Sequence, residues 1–316
     1  MKSVLVTGAT TPLGVELVRS LLADTRIRHV LAADRHPADG PLPIGPHQRL
    51  TYVPVDLRRT RKVRELLFGP ARNYNCEVVV HLAEDARGYG AGRSAYAANV
   101  EALRSITSLA DRHPSIKRLV VRSHAFVYKV SLDLPVRVME DHPLNMAPSA
   151  PQYVRDRVEA DLTACARMGL INCEVVVLRM AEVLAPGFGS QLFDYLNAPV
   201  VLRTMGFDPM INVASPSDMV RALELATHGS GEGVFNIPGA DTLPLAEAAR
   251  KFGARVLPAP ELAIRPLYRF RHLLTGSDFS YGINRNQLHF GLVLDGRRAK
   301  DVLNYRPMHP IEWPSP

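Results

Sequence analysis

VLVTGATTPLG, residues 4–14, reads as a short β-branched run, a glycine turn and the start of an amphipathic helix with Pro12 in its first turn. A strand that enters a helix through a glycine turn aims the free N–H groups of the helix N-terminus at one point. That point is where an anion such as a pyrophosphate is held. Gly8 supplies the tight turn and Gly14 the close approach of helix to strand, with Thr10, Thr11 and Leu13 between them beside the same point. The pattern of this class, TGxxGxxG, has its middle glycine at position 11. Thr11 narrows the approach there and offers a hydroxyl donor in exchange.

The pattern continues downstream. Strands are predicted at 3–7, 29–34, 50–54, 77–82, 117–123 and 173–179, and the helices between them begin near Pro12, Thr60, Arg93 and Pro151. Short β-branched runs alternating with amphipathic stretches specify an α/β chain with a Rossmann-type, doubly wound parallel sheet. The segment from Lys129 to Ala150 is a long connection of the kind that borders a site. Beyond Arg179 proline or glycine recurs every few residues, marking a smaller α+β C-terminal substrate domain. Residues 1–180 are read as the dinucleotide-binding domain, with 206–237 returning to it; 181–205 and 238–316 form the substrate-binding region.

Composition narrows the class. With 316 residues, 47% of them apolar, the chain buries a large core as one elaborate domain or two modest ones. The opening apolar run is too short for a signal-peptide core or a membrane span. Cys76, Cys165 and Cys173 lack CxxC spacing, so neither a disulfide framework nor a zinc knuckle is expected, and the setting is read as reducing and cytoplasmic. No residue spacing is that of a metal site. The net charge of +7 comes largely from arginine runs at 57–66, 264–274 and 295–303. Each contains apolar residues at helical spacing, so each is read as the solvated face of an amphipathic helix rather than a nucleic-acid or lipid patch.

Asp34 ends the second strand about 20 residues past the last glycine, where a carboxylate accepts from both adenosine ribose hydroxyls. That favours NAD, while Arg35 beside it leaves NADP open. Asp56 and Leu57 in VPVDL stand at the adenine edge, and Leu82 and Ala83 in VVVHLA end a strand across which a dinucleotide lies.

Taken together, TGATTPLG, Asp34, VDL, HLA, ANV (98–100, with Asn99), VVRSHAFVY (120–128), YVRDR (153–157) and VLRMAEVLAP (177–186) resemble the extended short-chain dehydrogenase/reductase family. The likeness is to its NAD-dependent epimerase/dehydratase group, which acts on nucleotide sugars. It extends to NVASPSDMVRALELA (212–226) and GVFNIPG (233–239) and so covers most of the chain.

The resemblance implies an NAD-dependent oxidoreductase or epimerase acting on a nucleotide sugar or similar small molecule. A Ser or Thr orients the substrate oxygen, a Tyr exchanges its proton, and a Lys lowers the Tyr pKa and holds the nicotinamide ribose. Tyr153 matches the tyrosine, Arg157 stands at the lysine and His124 at the Ser/Thr. Arginine keeps the charge but is planar and prefers carboxylate or phosphate partners. Two readings therefore stand: an enzyme with Tyr153 as acid/base beside a substituted His124 and Arg157, and a catalytically degenerate dinucleotide-binding sensor or scaffold. Two structural alternatives stay open as well, Arg157 as a surface ion-pair former and His124 as a hydrogen-bonded core histidine. The resemblance also implies a homodimer, through helices near 93–112 and 151–168 whose Ala95, Ala97, Ala98, Ala160, Ala164 and Ala166 permit close approach.

Overall fold

Val4 and Val6 belong to one apolar core and Leu5, between them, to another. This is the period-2 alternation of a strand covered on both faces. In the computed structural model, which describes residues 1–35, 43–89 and 92–314, seven parallel strands build one sheet. They are β1 (Lys2–Thr7), β2 (Ile27–Asp34), β3 (Leu50–Pro54), β4 (Cys76–His81), β5 (Arg118–His124), β6 (Glu174–Met180) and β7 (Gly233–Ile237). Their spatial order is β7-β6-β5-β4-β1-β2-β3. The chain runs outward from β1 to β3, then returns to the other side of β1 with β4. That reversal opens a crevice at the carboxyl ends of β1 and β4, where ligands of such sheets bind.

All six predicted strands are present, and β7 adds a seventh. Helices Pro12–Ala23 and Pro216–His228 supply Leu17, Leu21, Met219 and Leu223 to the Val4 core. Helices Thr60–Leu66 and Ala102–Ala110 supply Val63, Leu66, Leu103 and Ile106 to the Leu5 core. Gly14 is fixed by contact: a Cβ there would run into the Gly8 carbonyl oxygen and the Ala9 backbone.

The smaller unit has its own core around Tyr195, Ile211, Tyr268 and Phe279. A three-stranded sheet (Glu182–Val183, Met210–Ala214, Asp241–Pro244), a parallel pair (Val200–Thr204 with Arg255–Ala259) and helices Glu261–Thr275 and Tyr281–Phe290 build it. Within 206–237, Pro216–His228 and β7 join the large sheet while Met210–Ala214 pairs in the small one. Ala299, Leu303 and Tyr305 near the C-terminal end pack into the Val4 core. The 129–150 connection is pinned, with Arg137–Val138 pairing in parallel with Val293–Leu294 and Asn145 N donating to the Val127 carbonyl.

The arginine runs divide. Val63, Leu66 and Leu67 are buried beneath the first, and Ala299 and Leu303 beneath the third. The second corrects the expectation: in helix Glu261–Thr275 only Ile264 and Tyr268 are buried, and Leu262, Leu267, Phe270, Leu273 and Leu274 face solvent. The helix lies at the edge of the small core, which covers one narrow stripe of it, and periodicity does not say which apolar stripe finds cover.

A buried polar network locks the strand ends beneath the crevice. Asp161 accepts from Arg179 Nη2 (2.7 Å) and Nε (3.0 Å) and from Ser123 Oγ (2.6 Å). Arg179 Nη1 donates to the Tyr128 hydroxyl (3.1 Å), which donates to Asn236 Oδ1 (2.6 Å). Strands β5, β6 and β7 and helix Gln152–Cys165 are thereby tied through one ion pair. Removing one member of a buried pair leaves the other charge without solvent or partner. Asp161→Ala is expected to lower unfolding free energy by about 3–5 kcal/mol in urea denaturation, and an unchanged midpoint would contradict this role.

Candidate functional site

The glycine turn forms a cradle at the end of β1. Gly8 has φ +72°, and a Cβ on it would sit 2.5 Å from Ala83 N. Thr11 fills the place of the middle glycine by capping the helix: its hydroxyl donates to the Gly8 carbonyl (2.7 Å) and accepts from Gly14 N (3.1 Å). Thr10 reaches the other way, with backbone N (3.1 Å) and Oγ1 (2.7 Å) both donating to Asp34 Oδ2, while Arg35 N donates to Oδ1 (2.7 Å). The carboxylate at the end of β2 is thus held in a fixed orientation. Around it lies a cavity of about 390 Å³ lined by Gly8, Thr11, Asp34, Arg35, Asp56, Leu57 and Ala83 among others. Leu13 is different: its side chain is buried in the Val4 core.

The opposite end of the crevice is organised by Glu84, the residue directly after HLA. Its Oε1 accepts from Arg122 Nη1 (2.5 Å). Its Oε2 pairs with His124 Nε2 (2.6 Å) and accepts from Arg157 Nη2 (3.5 Å). Burial alone would raise the carboxyl pKa, but Arg122, His124 and Arg157 together hold it far below the ordinary carboxylate range. Burial pushes His124 down to about 4 against the pull of Glu84, so its imidazole is neutral at neutral pH. The cluster encloses only about 30 Å³ of space, bordered also by Leu82, Asn99 and Asp161. Two buried donors, Arg122 Nε and Arg157 Nε, have no partner among the described residues. Glu182 lies near enough to act electrostatically on Tyr153 and Arg157; burial raises its pKa, and the Ser190 hydroxyl donates to it.

Tyr153 and Arg157 are one turn apart on helix Gln152–Cys165 and lie face to face. The guanidinium carbon is 3.5 Å from the Tyr153 ring centroid, and Nη1 donates to the Tyr153 carbonyl (3.2 Å). Arg157 is buried, so the surface ion-pair alternative is excluded; the neighbouring Glu159 pairs instead with Arg104 and accepts from the Tyr96 hydroxyl. The positive charge sits over the ring and not at the phenol oxygen, and no described residue hydrogen-bonds that oxygen. Burial raises the Tyr153 pKa more than Arg157 lowers it. The phenol is therefore a neutral donor at neutral pH, not an incipient phenolate. Tyr153 and Arg157 also line a cleft of about 720 Å³ between the two units, with Asn99, Asp85, Arg87, Glu261, Arg265 and Arg285 on its walls.

The structure thus gathers Gly8, Thr11, Asp34, Arg35, Asp56, Leu57 and Ala83 at one cavity, and Leu82, Asn99, His124 and Arg157 at a second. Glu84, Arg122 and Glu182 were not anticipated. The available signal was charge inside apolar strand patterns: a glutamate closing VVVHLAE and an arginine in VVRSH, at the ends of strands that pair as neighbours.

Comparison with known proteins agrees with this architecture. Residues 4–211 match the NAD dependent epimerase/dehydratase family. An uncharacterized protein of Mycobacterium tuberculosis is 28% identical over 97% of this chain and 80% of its own length. Among solved structures, a dTDP-glucose 4,6-dehydratase from Bacillus anthracis in complex with NAD superposes with TM-score 0.72 at 19% identity, covering 99% of this chain and 94% of that one. A UDP-glucuronic acid 4-epimerase from Bacillus cereus in complex with NAD gives TM-score 0.71 at 16% identity, covering 98% and 92%.

The buried imidazoles carry a pH consequence. His124 and His81 both titrate near 4 when folded, against 6.5 ordinarily. The unfolded chain then binds more protons between those values, so stability is full above about pH 6.5 and is lost as pH falls toward 4. Glu84, depressed as well, adds to the loss at lower pH. Urea midpoints are expected to drop across this window, and less steeply in His124→Gln; a pH-independent midpoint would contradict the buried, neutral assignment.

Proposed function

This chain belongs to the NAD dependent epimerase/dehydratase family, and we propose that it is a dinucleotide-binding member whose nicotinamide end is closed to hydride chemistry, so that it works as a binding or sensing protein. One observation carries the reading: Glu84 holds Arg157, the residue at the family's ribose-binding lysine, and His124, the residue at its substrate-orienting Ser/Thr.

The residues fit one half of the cofactor. The Gly8 cradle, the oriented Asp34 and the Asp56–Leu57 edge suit an adenosine, and the carboxylate favours NAD over NADP. They fit the other half less well, because Arg157 and His124, the groups that would meet it, are both engaged by Glu84. No redox step is therefore derived. Tyr153, neutral and with the cation over its ring, orients and donates a hydrogen bond to whatever fills the 720 Å³ cleft. We assign that cleft a small molecule of the nucleotide-sugar class, the class named for the two solved structures of the same fold; Arg87 and Arg285 on its walls are paired with Asp85 and Glu261, which leaves Arg265 to meet a phosphate. The same reading includes a reducing, cytoplasmic setting, which the three free cysteines suit. It also includes a homodimer through the 93–112 and 151–168 helices, which a monomer mass in light scattering at micromolar concentration would remove.

A second reading, an active oxidoreductase or epimerase with Tyr153 as acid/base, is favoured by the placement of Tyr153 and Arg157 on the wall of that cleft. Calorimetric titration separates the two. If the nicotinamide end is closed, ADP-ribose binds within about threefold of NAD, and NADP binds about tenfold more weakly, the effect of a phosphate beside an ionised carboxylate. Much tighter binding of NAD than ADP-ribose, with turnover of a UDP-sugar that Tyr153→Phe abolishes, would establish the second reading instead.

Because Glu84, His124 and Arg157 hold one another, opening the nicotinamide end is expected to require changing them as a set. Glu84→Ala, His124→Ser and Arg157→Lys together should bring NAD above ADP-ribose in affinity, whereas Glu84→Ala alone should chiefly destabilise, leaving Arg122 and Arg157 buried without their anion. A Glu84→Ala protein as stable as the wild type would sink this account of the cluster.

A further inference from the structure

Helix Glu261–Thr275, ELAIRPLYRFRHLLT, buries only Ile264 and Tyr268. On its outward side Leu262 is 92% exposed, Leu273 80%, Leu274 69%, Phe270 60% and Leu267 48%. At roughly 100° per residue, Leu262, Leu273, Pro266, Phe270, Leu274 and Leu267 follow one another across a single arc of about 140°, opposite the buried side. Arg265 and Arg269 border one edge of that arc and Arg271 the other. None of the three forms an ion pair among the described residues, whereas Arg285 on the adjoining helix is neutralised by Glu261. An apolar arc this wide and continuous is uncommon on a freely soluble surface and marks an interaction site.

We propose that this helix is a docking element that lays the protein on an anionic lipid surface. An interfacial helix of this kind combines an apolar face that enters the acyl boundary with arginines along its margins that reach the headgroup phosphates. The order of side chains around the helix is that arrangement. A second copy of the chain is the poorer occupant, because a two-fold contact would bring identical arginine-edged faces together in a protein already at +7. An RNA would engage the arginines and leave the apolar arc in water. Among the described residues no helix is long and apolar enough to span a bilayer, so the association is peripheral. Leu262, Arg265 and Pro266 also line the 720 Å³ cleft, so docking sets the mouth of the cleft against the lipid.

Co-sedimentation of the full chain with phosphatidylcholine vesicles, with and without one-third phosphatidylglycerol, tests this. Binding to the anionic vesicles is expected, weakened by added salt and slight on phosphatidylcholine alone. Phe270→Glu with Leu273→Glu should abolish it, and Arg265→Gln with Arg269→Gln and Arg271→Gln should reduce partitioning on the order of a hundredfold. Phe270, Leu273, Arg265 and Arg269 are exposed and Arg271 is half-buried beside the Tyr268 ring, so thermal melts should fall little below the wild type; if the glutamate variant does not fold, the arginine variant and the salt titration still decide. The proposal is overturned if wild-type protein stays in the supernatant at low salt, or if both variants bind as well as it does. A solution dimer that the glutamate pair dissociates would also overturn it, showing a second copy on this face.

Discussion

A carboxylate taken out of water must be surrounded by positive charge and hydrogen-bond donors or surrender its ionisation, and Glu84 shows how far that requirement reaches. It stands at the mouth of the β4 turn and draws Arg122 and His124 from the end of β5 and Arg157 from the helix that follows. None of the four can be exchanged alone without leaving a buried charge or donor unpaired. That constraint suits a guanidinium at 157. A compact ammonium serves one point, whereas the guanidinium stacks on the Tyr153 ring, bonds the carbonyl of its own helix and still reaches Glu84. Glu84, His124 and Arg157 therefore act as one electrostatic unit in a single pocket.

Much of the fold was legible because it rests on local periodicity. The six strand runs are apolar over short, bounded lengths, and Gly8, Gly14 and Asp34 have backbone or hydrogen-bonding tasks that few other residues perform. The seventh strand was visible only through the family likeness of GVFNIPG. What escaped was burial of charge: Glu84 and Arg122 look like strand-end surface residues until β4 and β5 are seen side by side. Arg157 posed the same difficulty, since a YVRDR sequence suits an exposed helix equally well. The 261–275 helix failed for a different reason. Its apolar residues repeat around most of the circumference, so the pattern identifies a helix without saying which side the core takes.

The two ends of the crevice thus follow different rules. At the Gly8 end the chain retains what a dinucleotide's adenosine needs: a glycine turn, a capped helix and an oriented carboxylate. At the Glu84 end, a buried ion cluster engages Arg122, His124 and Arg157. Between the units an open cleft walled by arginines and carboxylates remains, bounded by the same helix that turns its apolar side outward.

The most direct test is a crystal structure of the protein soaked at saturating NAD, read at one distance, Arg157 Nη2 to Glu84 Oε2. The account predicts ordered ADP density between Gly8 and Asp34 with that pair still in contact near the present 3.5 Å. An Arg157 swung off Glu84 onto the ribose of an ordered nicotinamide would contradict it.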